Sequence, residues 1–202
     1  TGLSGRHTAY LNNGPRESEG ESYIQWGEME YVTTDDGQDE ALQRDLADSN
    51  VSLSDMDGDG LADLVFHPVL SGQPVYYLNK GAMEWGQRQP MTVGDFLPPA
   101  PFGHAEVRSF DVNFDKRMDI VKTISTGYQL WYNLGPGEDE GVRYSPRVIT
   151  PGAIHNEEVL VFGDEFGNPK SGMHLADLNG DRMLDVARIR PTQVIFCASK
   201  GY

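Results

Sequence analysis

Three nine-residue stretches of the chain align without a gap. They are Asp55-Met56-Asp57-Gly58-Asp59-Gly60-Leu61-Ala62-Asp63, Asp111-Val112-Asn113-Phe114-Asp115-Lys116-Arg117-Met118-Asp119 and Asp177-Leu178-Asn179-Gly180-Asp181-Arg182-Met183-Leu184-Asp185. Their starts lie 56 and 66 residues apart, a period that marks one supersecondary unit per repeat. A second tag keeps the same phase. Asn-x-Gly closes an apolar run at Asn12-Asn13-Gly14, Asn79-Lys80-Gly81 and Asn133-Leu134-Gly135, with a weaker copy at Ser199-Lys200-Gly201. The tag follows the last Asp of its loop by 16 residues in the first repeat and by 14 in the others.

The segments between the tags read as short strands. Leu64-Val65-Phe66, Ile120-Val121 and Val186-Ala187 leave the Asp loops directly, while Val75–Leu78 and Leu130-Trp131-Tyr132 enter the Asn-x-Gly turns. Tyr23 to Glu30 alternates with period two, and Val107–Phe110 and Val159–Phe162 add further strands. Asp39 to Ala47 reads as a short helical insert, because Ala41, Leu42, Leu46 and Ala47 share a helical face. With 23 glycines and 12 prolines, turns and short strands are favoured over long helices. The expectation is an all-β chain of propeller-like blades, each with three or four strands and one Asp loop. The divisions fall at 1–46 (partial blade), 47–101, 102–168 and 169–202 (partial blade). The longer second interval is expected to carry its extra residues in Gly135–Gly141 or Gly163–Gly172.

The formal net charge is −15, which repels phosphate backbones and excludes nucleic acid as a partner. The acidity is not spread evenly, since ten of the eighteen Asp fall inside the three loops. Calcium wants six to eight oxygens, and alternate residues of a tight loop can turn their oxygens to one centre. Positions one, three and five supply side chains, position seven a backbone carbonyl and position nine a closing carboxylate. The candidate ligands are Asp55, Asp57, Asp59, the Leu61 carbonyl and Asp63 in the first loop. They are Asp111, Asn113, Asp115, the Arg117 carbonyl and Asp119 in the second, and Asp177, Asn179, Asp181, the Met183 carbonyl and Asp185 in the third. An EF-hand loop closes with an acidic residue at position twelve, where this chain has Phe66, Lys122 and Arg188.

The loops differ in quality. Gly60 suits a positive φ at position six, where Lys116 and Arg182 would each carry about 1 kcal/mol of strain. Position four is Gly58 and Gly180 in two loops but Phe114 in the second, which also sets Lys116 and Arg117 beside its site. Affinity is expected to rank first, third, second. Structural calcium is favoured over catalytic calcium, since no His or Glu pair lies near the loops. His67 and His174 read as ordinary partly buried strand residues, and His7, His104 and His155 form no metal motif. No Ser/His/Asp set, phosphate loop or zinc spacing supports an enzyme. The one cysteine, Cys197, sits in an apolar run as a small hydrophobe and has no partner for an internal disulfide. No apolar run approaches the roughly 20 residues of a membrane span.

Asp loops followed by an apolar strand and an Asn-x-Gly tag resemble the FG-GAP/VCBS repeats of integrin-α-like β-propellers. Phe102-Gly103 ahead of the second loop matches the pair that names them. The resemblance implies part of a ring of about seven blades, up to three calcium ions and an extracellular or cell-surface location. It also implies a scaffold or protein-binding role, with the remainder of a larger propeller or another protein as partner. A narrower likeness, carried by Leu175–Arg188 and Gln129–Gly135, is to the propeller region of toxin-complex B components and YD-repeat (RHS) proteins, which help form a shell around a toxin. The alternative is a carbohydrate-binding or polysaccharide-degrading propeller, with Trp26, Trp85, Trp131, Tyr76 and Tyr77 as stacking faces.

Overall fold

A computed structural model describes residues 7–34, 44–48, 50–68, 73–81, 83–93, 104–137, 141–152, 154–155, 158–163 and 168–198. Every regular element among them is a strand. Strands β1 (Thr8–Ser18) and β2 (Glu21–Tyr31) form a two-stranded ribbon, and β3 (Thr33–Thr34) follows it. The first full sheet is an antiparallel meander of β4 (Val51–Ser54), β5 (Asp63–Phe66), β6 (Val75–Asn79) and β7 (Glu84–Val93). β8 (Val107–Phe110), β9 (Asp119–Ile124) and β10 (Gly127–Trp131) repeat its first three strands.

β11 (Asn133–Pro136) and β12 (Val142–Tyr144) then form a small hairpin laid parallel along β7, before β13 (Val148–Pro151) completes the second sheet against β10. β14 (Ile154–His155) pairs with β15 (Glu158–Val159). The third sheet is β16 (Met173–Ala176), β17 (Asp185–Arg190) and β18 (Gln193–Cys197). Sheets of three and four antiparallel strands, each broken by an Asp loop at the same place, are consistent with propeller blades. The longer interval between the second and third loops holds the two extra pairs, β11–β12 and β14–β15.

The strand pattern explains the stacking. Side chains of a strand alternate between faces, so a strand apolar at every position must be covered on both sides. In β5, Leu64 and Phe66 enter one core with Val51, Val75, Tyr77 and Trp85, while Val65 enters another. That second core holds Met56, Tyr76, Val107, Ile120, Trp131 and Tyr144, and so lies between the first and second sheets. Val121, Tyr128 and Leu130 look the other way, into a third core shared with Leu160, Phe162, Val186 and Ile195. On the opposite face of the third sheet Ala187 is buried, while Ile189, Val194 and Phe196 are exposed.

Several expectations are corrected. Arg44–Ala47, the described part of the expected helix, runs as bend and turn into Asp48. Asp45 accepts from the backbone N–H of Ala47 and Asp48 from that of Asn50, and such local bonds compete with helix formation. Residues 39–43 lie outside the described residues, as do Phe102, Gly103 and the Ser199-Lys200-Gly201 tag. Of the expected Val159–Phe162 strand only Val159 is in one, at the end of β15, although Leu160 and Phe162 are core. His174 stands exposed on β16, and His67 is half-buried just past β5. His7 is buried: its Nδ1 accepts from the Trp85 indole at 3.3 Å, and its Nε2 lies 3.0 Å from the Arg44 carbonyl. An indole can only donate, so Nε2 carries the imidazole proton and donates to that carbonyl.

Candidate metal centre

Each loop runs from the end of one strand to the start of the next, and one hydrogen-bond scheme winds all three. The carboxylate at position one accepts the backbone N–H of position six: Gly60 to Asp55 (2.9 Å), Lys116 to Asp111 (2.8 Å) and Arg182 to Asp177 (2.9 Å). Position three accepts from the N–H of position five, as Asp59 to Asp57, Asp115 to Asn113 and Asp181 to Asn179. Position five accepts from position seven, as Leu61 to Asp59, Arg117 to Asp115 and Met183 to Asp181. To aim these N–H groups inward the backbone turns left-handed twice. φ is 87° and 91° at Gly58 and Gly60, 61° and 75° at Phe114 and Lys116, and 79° and 63° at Gly180 and Arg182. The strain expected at Lys116 and Arg182 is therefore present, and Phe114 shares it.

The ninth residue has a role that the spacing did not reveal. Asp63, Asp119 and Asp185 are buried and act as clasps. One oxygen of each accepts the N–H of position two, from Met56, Val112 and Leu178 respectively. The other oxygen of Asp63 accepts the N–H of Asn79 (2.8 Å), and that of Asp119 the N–H of Asn133 (2.7 Å). The two tags keep a common phase because they are bonded to each other. The tag itself is a turn in which Asn Oδ1 accepts from the glycine N–H, at Asn12–Gly14, Asn79–Gly81 and Asn133–Gly135, with φ of 81°, 73° and 79° at the glycines. Opposite each tag Asn, across the strand pair, stands an aromatic residue: Trp26, Trp85 and Tyr144. Only the tag, not the register, was visible in the sequence.

Burial and neighbouring charge shape the acids. Burial pushes the Asp63 carboxyl up to about 6, against the pull of the Asn79 and Met56 N–H groups and with help from Asp57 and Asp55. Asp119 is pushed up to about 6 in the same way, by burial first and by Asp115 and Asp111 in addition. Asp57 is raised as well, by burial and then by Asp59 and Asp55. Oxygens of Asp55, Asp57 and Asp63 lie within 4.8 Å of one another, and among the described residues this is the group of three acidic, His or Cys side chains that could hold a metal ion. Loops two and three carry Asn at position three and so present fewer carboxylates.

Loop one abuts loop two. The Met118 N–H donates to the Asp55 carbonyl (3.0 Å), and Asn133 Nδ2 donates to the Met56 carbonyl (2.9 Å). A Cβ at Gly58 would come within 3.3 Å of Arg117 Cγ. Residues 55–121 match the family model described as an FG-GAP-like repeat. That stretch is an FG-GAP-like repeat. It runs from the first residue of loop one through β5–β8 and loop two into β9, so the FG-GAP-like repeat contains both abutting loops. A search of curated proteins finds no match, and the narrower likeness to toxin-complex B components has no counterpart in these comparisons.

The aromatic set has dispersed. Trp131, Tyr76, Tyr77 and Trp85 are core, and Trp26 alone of the five is exposed, at 59%. Cys197 is half-buried against the core between the second and third sheets.

Proposed function

We propose that the chain is a calcium-stabilised all-β scaffold of a secreted or cell-surface protein, presenting surfaces to protein partners and carrying no catalysis of its own. The observation that carries the calcium reading is the convergence of Asp55, Asp57 and Asp63 in a loop whose acids are forced together by its own backbone. The donors are hard oxygens throughout, as calcium prefers. Asp55, Asp57, Asp59, Asp63 and the Leu61 carbonyl would hold the ion. Each carboxylate oxygen that already accepts one N–H keeps a further lone pair. The ion would supply positive charge to carboxylates that burial and mutual repulsion now disfavour.

The partner reading rests on two groups of exposed apolar side chains. One is on the third sheet, with Ile189, Val194 and Phe196; the other is on the β1–β2 ribbon, with Tyr23 on one face and Ile24 and Trp26 on the other. On the first two sheets the corresponding apolar side chains are buried in cores, which fits these two exposed groups for the remainder of a larger propeller or another protein. A sugar site would need exposed aromatic planes, and four of the five candidates are buried.

Thermal melting during calcium titration tests the metal, with chelator and magnesium as controls. The melting temperature is expected to climb saturably with calcium and much less with magnesium. At tenfold excess over the dissociation constant each site adds about 1.4 kcal/mol. A melt indifferent to calcium and chelator alike, in protein free of retained metal, would leave the loops as acidic turns.

A further inference from the structure

At position seven the side chains are Leu61, Arg117 and Met183, apolar in two loops and cationic in the second. Its N–H serves the same scheme in all three, and the sequence set the Arg117 charge beside the second site without showing what it meets. In loop two the side chain folds back over the acids. An Arg117 terminal nitrogen donates to Asp115 Oδ2 at 2.6 Å, and Arg117 Nε donates to the Asn133 carbonyl at 3.0 Å. The stem lies over Gly58 and Gly135. Both partners of the pair are more than two-thirds covered, and the guanidinium is held at two points, the arrangement in which charge-assisted bonds are strongest. Loops two and three have the same three carboxylates and the same Asn at position three, and in both that Asn amide also donates to the position-five carboxylate. They differ in that no basic side chain among the described residues pairs with Asp181, nor with Asp59 of loop one.

We propose that Arg117 is the resident cation of loop two: its guanidinium takes the charge-neutralising place that calcium takes in the other loops, so the second site is closed to metal. This rests on the calcium reading of loops one and three. A dication entering loop two would have to displace a tethered guanidinium from Asp115 or be held beside it, and like charges in that position repel. Lys116, next in sequence, is exposed and makes no such pair among the described residues.

The test exchanges position seven between loops in the full chain. Calcium sites are counted by isothermal titration after chelator treatment, for the natural sequence, Arg117→Met (the residue of loop three) and Leu61→Arg. Arg117→Met is expected to add one site to the natural count, and Leu61→Arg to weaken the loop-one site by about tenfold or more. Three sites in the natural chain, or no added site in Arg117→Met, would overturn the proposal.

If the natural chain takes up no calcium at all, it is the calcium reading that fails. Melts in chelator then decide the resident-cation role alone. It stands if Arg117→Met lowers the melting temperature while Leu61→Arg raises it, and falls if neither moves. The chelated melts also identify a variant that merely fails to fold.

Discussion

At the scale of the residue, the loops trade backbone comfort for inward-facing N–H groups. A left-handed conformation suits glycine, and the chain supplies glycine at Gly58, Gly60 and Gly180 but not at Phe114, Lys116 or Arg182. Lys116→Gly and Arg182→Gly are each expected to raise stability by about 0.5 kcal/mol at most, the relief of strain less the greater unfolded freedom of glycine. Denaturant unfolding in chelator measures this without any metal contribution. A loss of stability in both variants would mean that their side chains hold the loop by contacts worth more than the strain. The need for glycine at position six was legible in the sequence because loop one has it. The fate of Arg117 was not, because its partners Asp115 and Asn133 are brought to it by the turn and by the neighbouring strand end.

Between elements, the ninth Asp and the tag Asn act as one unit that ties a strand's start to the end of its neighbour. Asn133 does more than Asn79. Both donate from the side chain to the carbonyl preceding their clasp Asp, but Asn133 Nδ2 also reaches the Met56 carbonyl of the preceding loop, and Asn133 is fully buried. Asn133→Ala strands the Gly135 N–H and the Met56 carbonyl out of water and is expected to cost about 2–4 kcal/mol. Asn79→Ala, at a half-buried site, is expected to cost about 1 kcal/mol. Equal losses in equilibrium unfolding would show that the bond across the two loops contributes nothing. The sequence displayed both tags and their common phase, and from these the strands on either side followed. The hydrogen bonds that produce the phase, and the facing aromatic in each register, need the pairing itself.

Across the whole molecule, three sheets are layered on shared cores, and the position of a residue in that stack outweighs its local pattern. Trp26 and Trp85 occupy the same place in their hairpins, opposite a tag Asn with a glycine next in sequence, yet one is 59% exposed and the other 7%. Trp85→Ala should cost about 3–5 kcal/mol, since it empties a core that also holds Leu64, Phe66 and Tyr77. Trp26→Ala should stay within about 0.5 kcal/mol. A large loss for Trp26→Ala would show that the ribbon is covered in solution, which thermal melting of the two variants would reveal.

The sequence by itself determined the period, the three loops, the strands that leave them and the left-handed turns. These depend on residues near one another in the chain, on alternation and on the φ that glycine permits. Tertiary structure alone decided which apolar faces are covered, that the ninth Asp is a buried clasp, and that Arg117 lies on Asp115. The first two join groups apart in sequence or turn on what a neighbouring element covers, and the third turns on how the loop folds Arg117 back over Asp115, two residues away. Their energetics come from removing water around groups whose proximity no local pattern encodes.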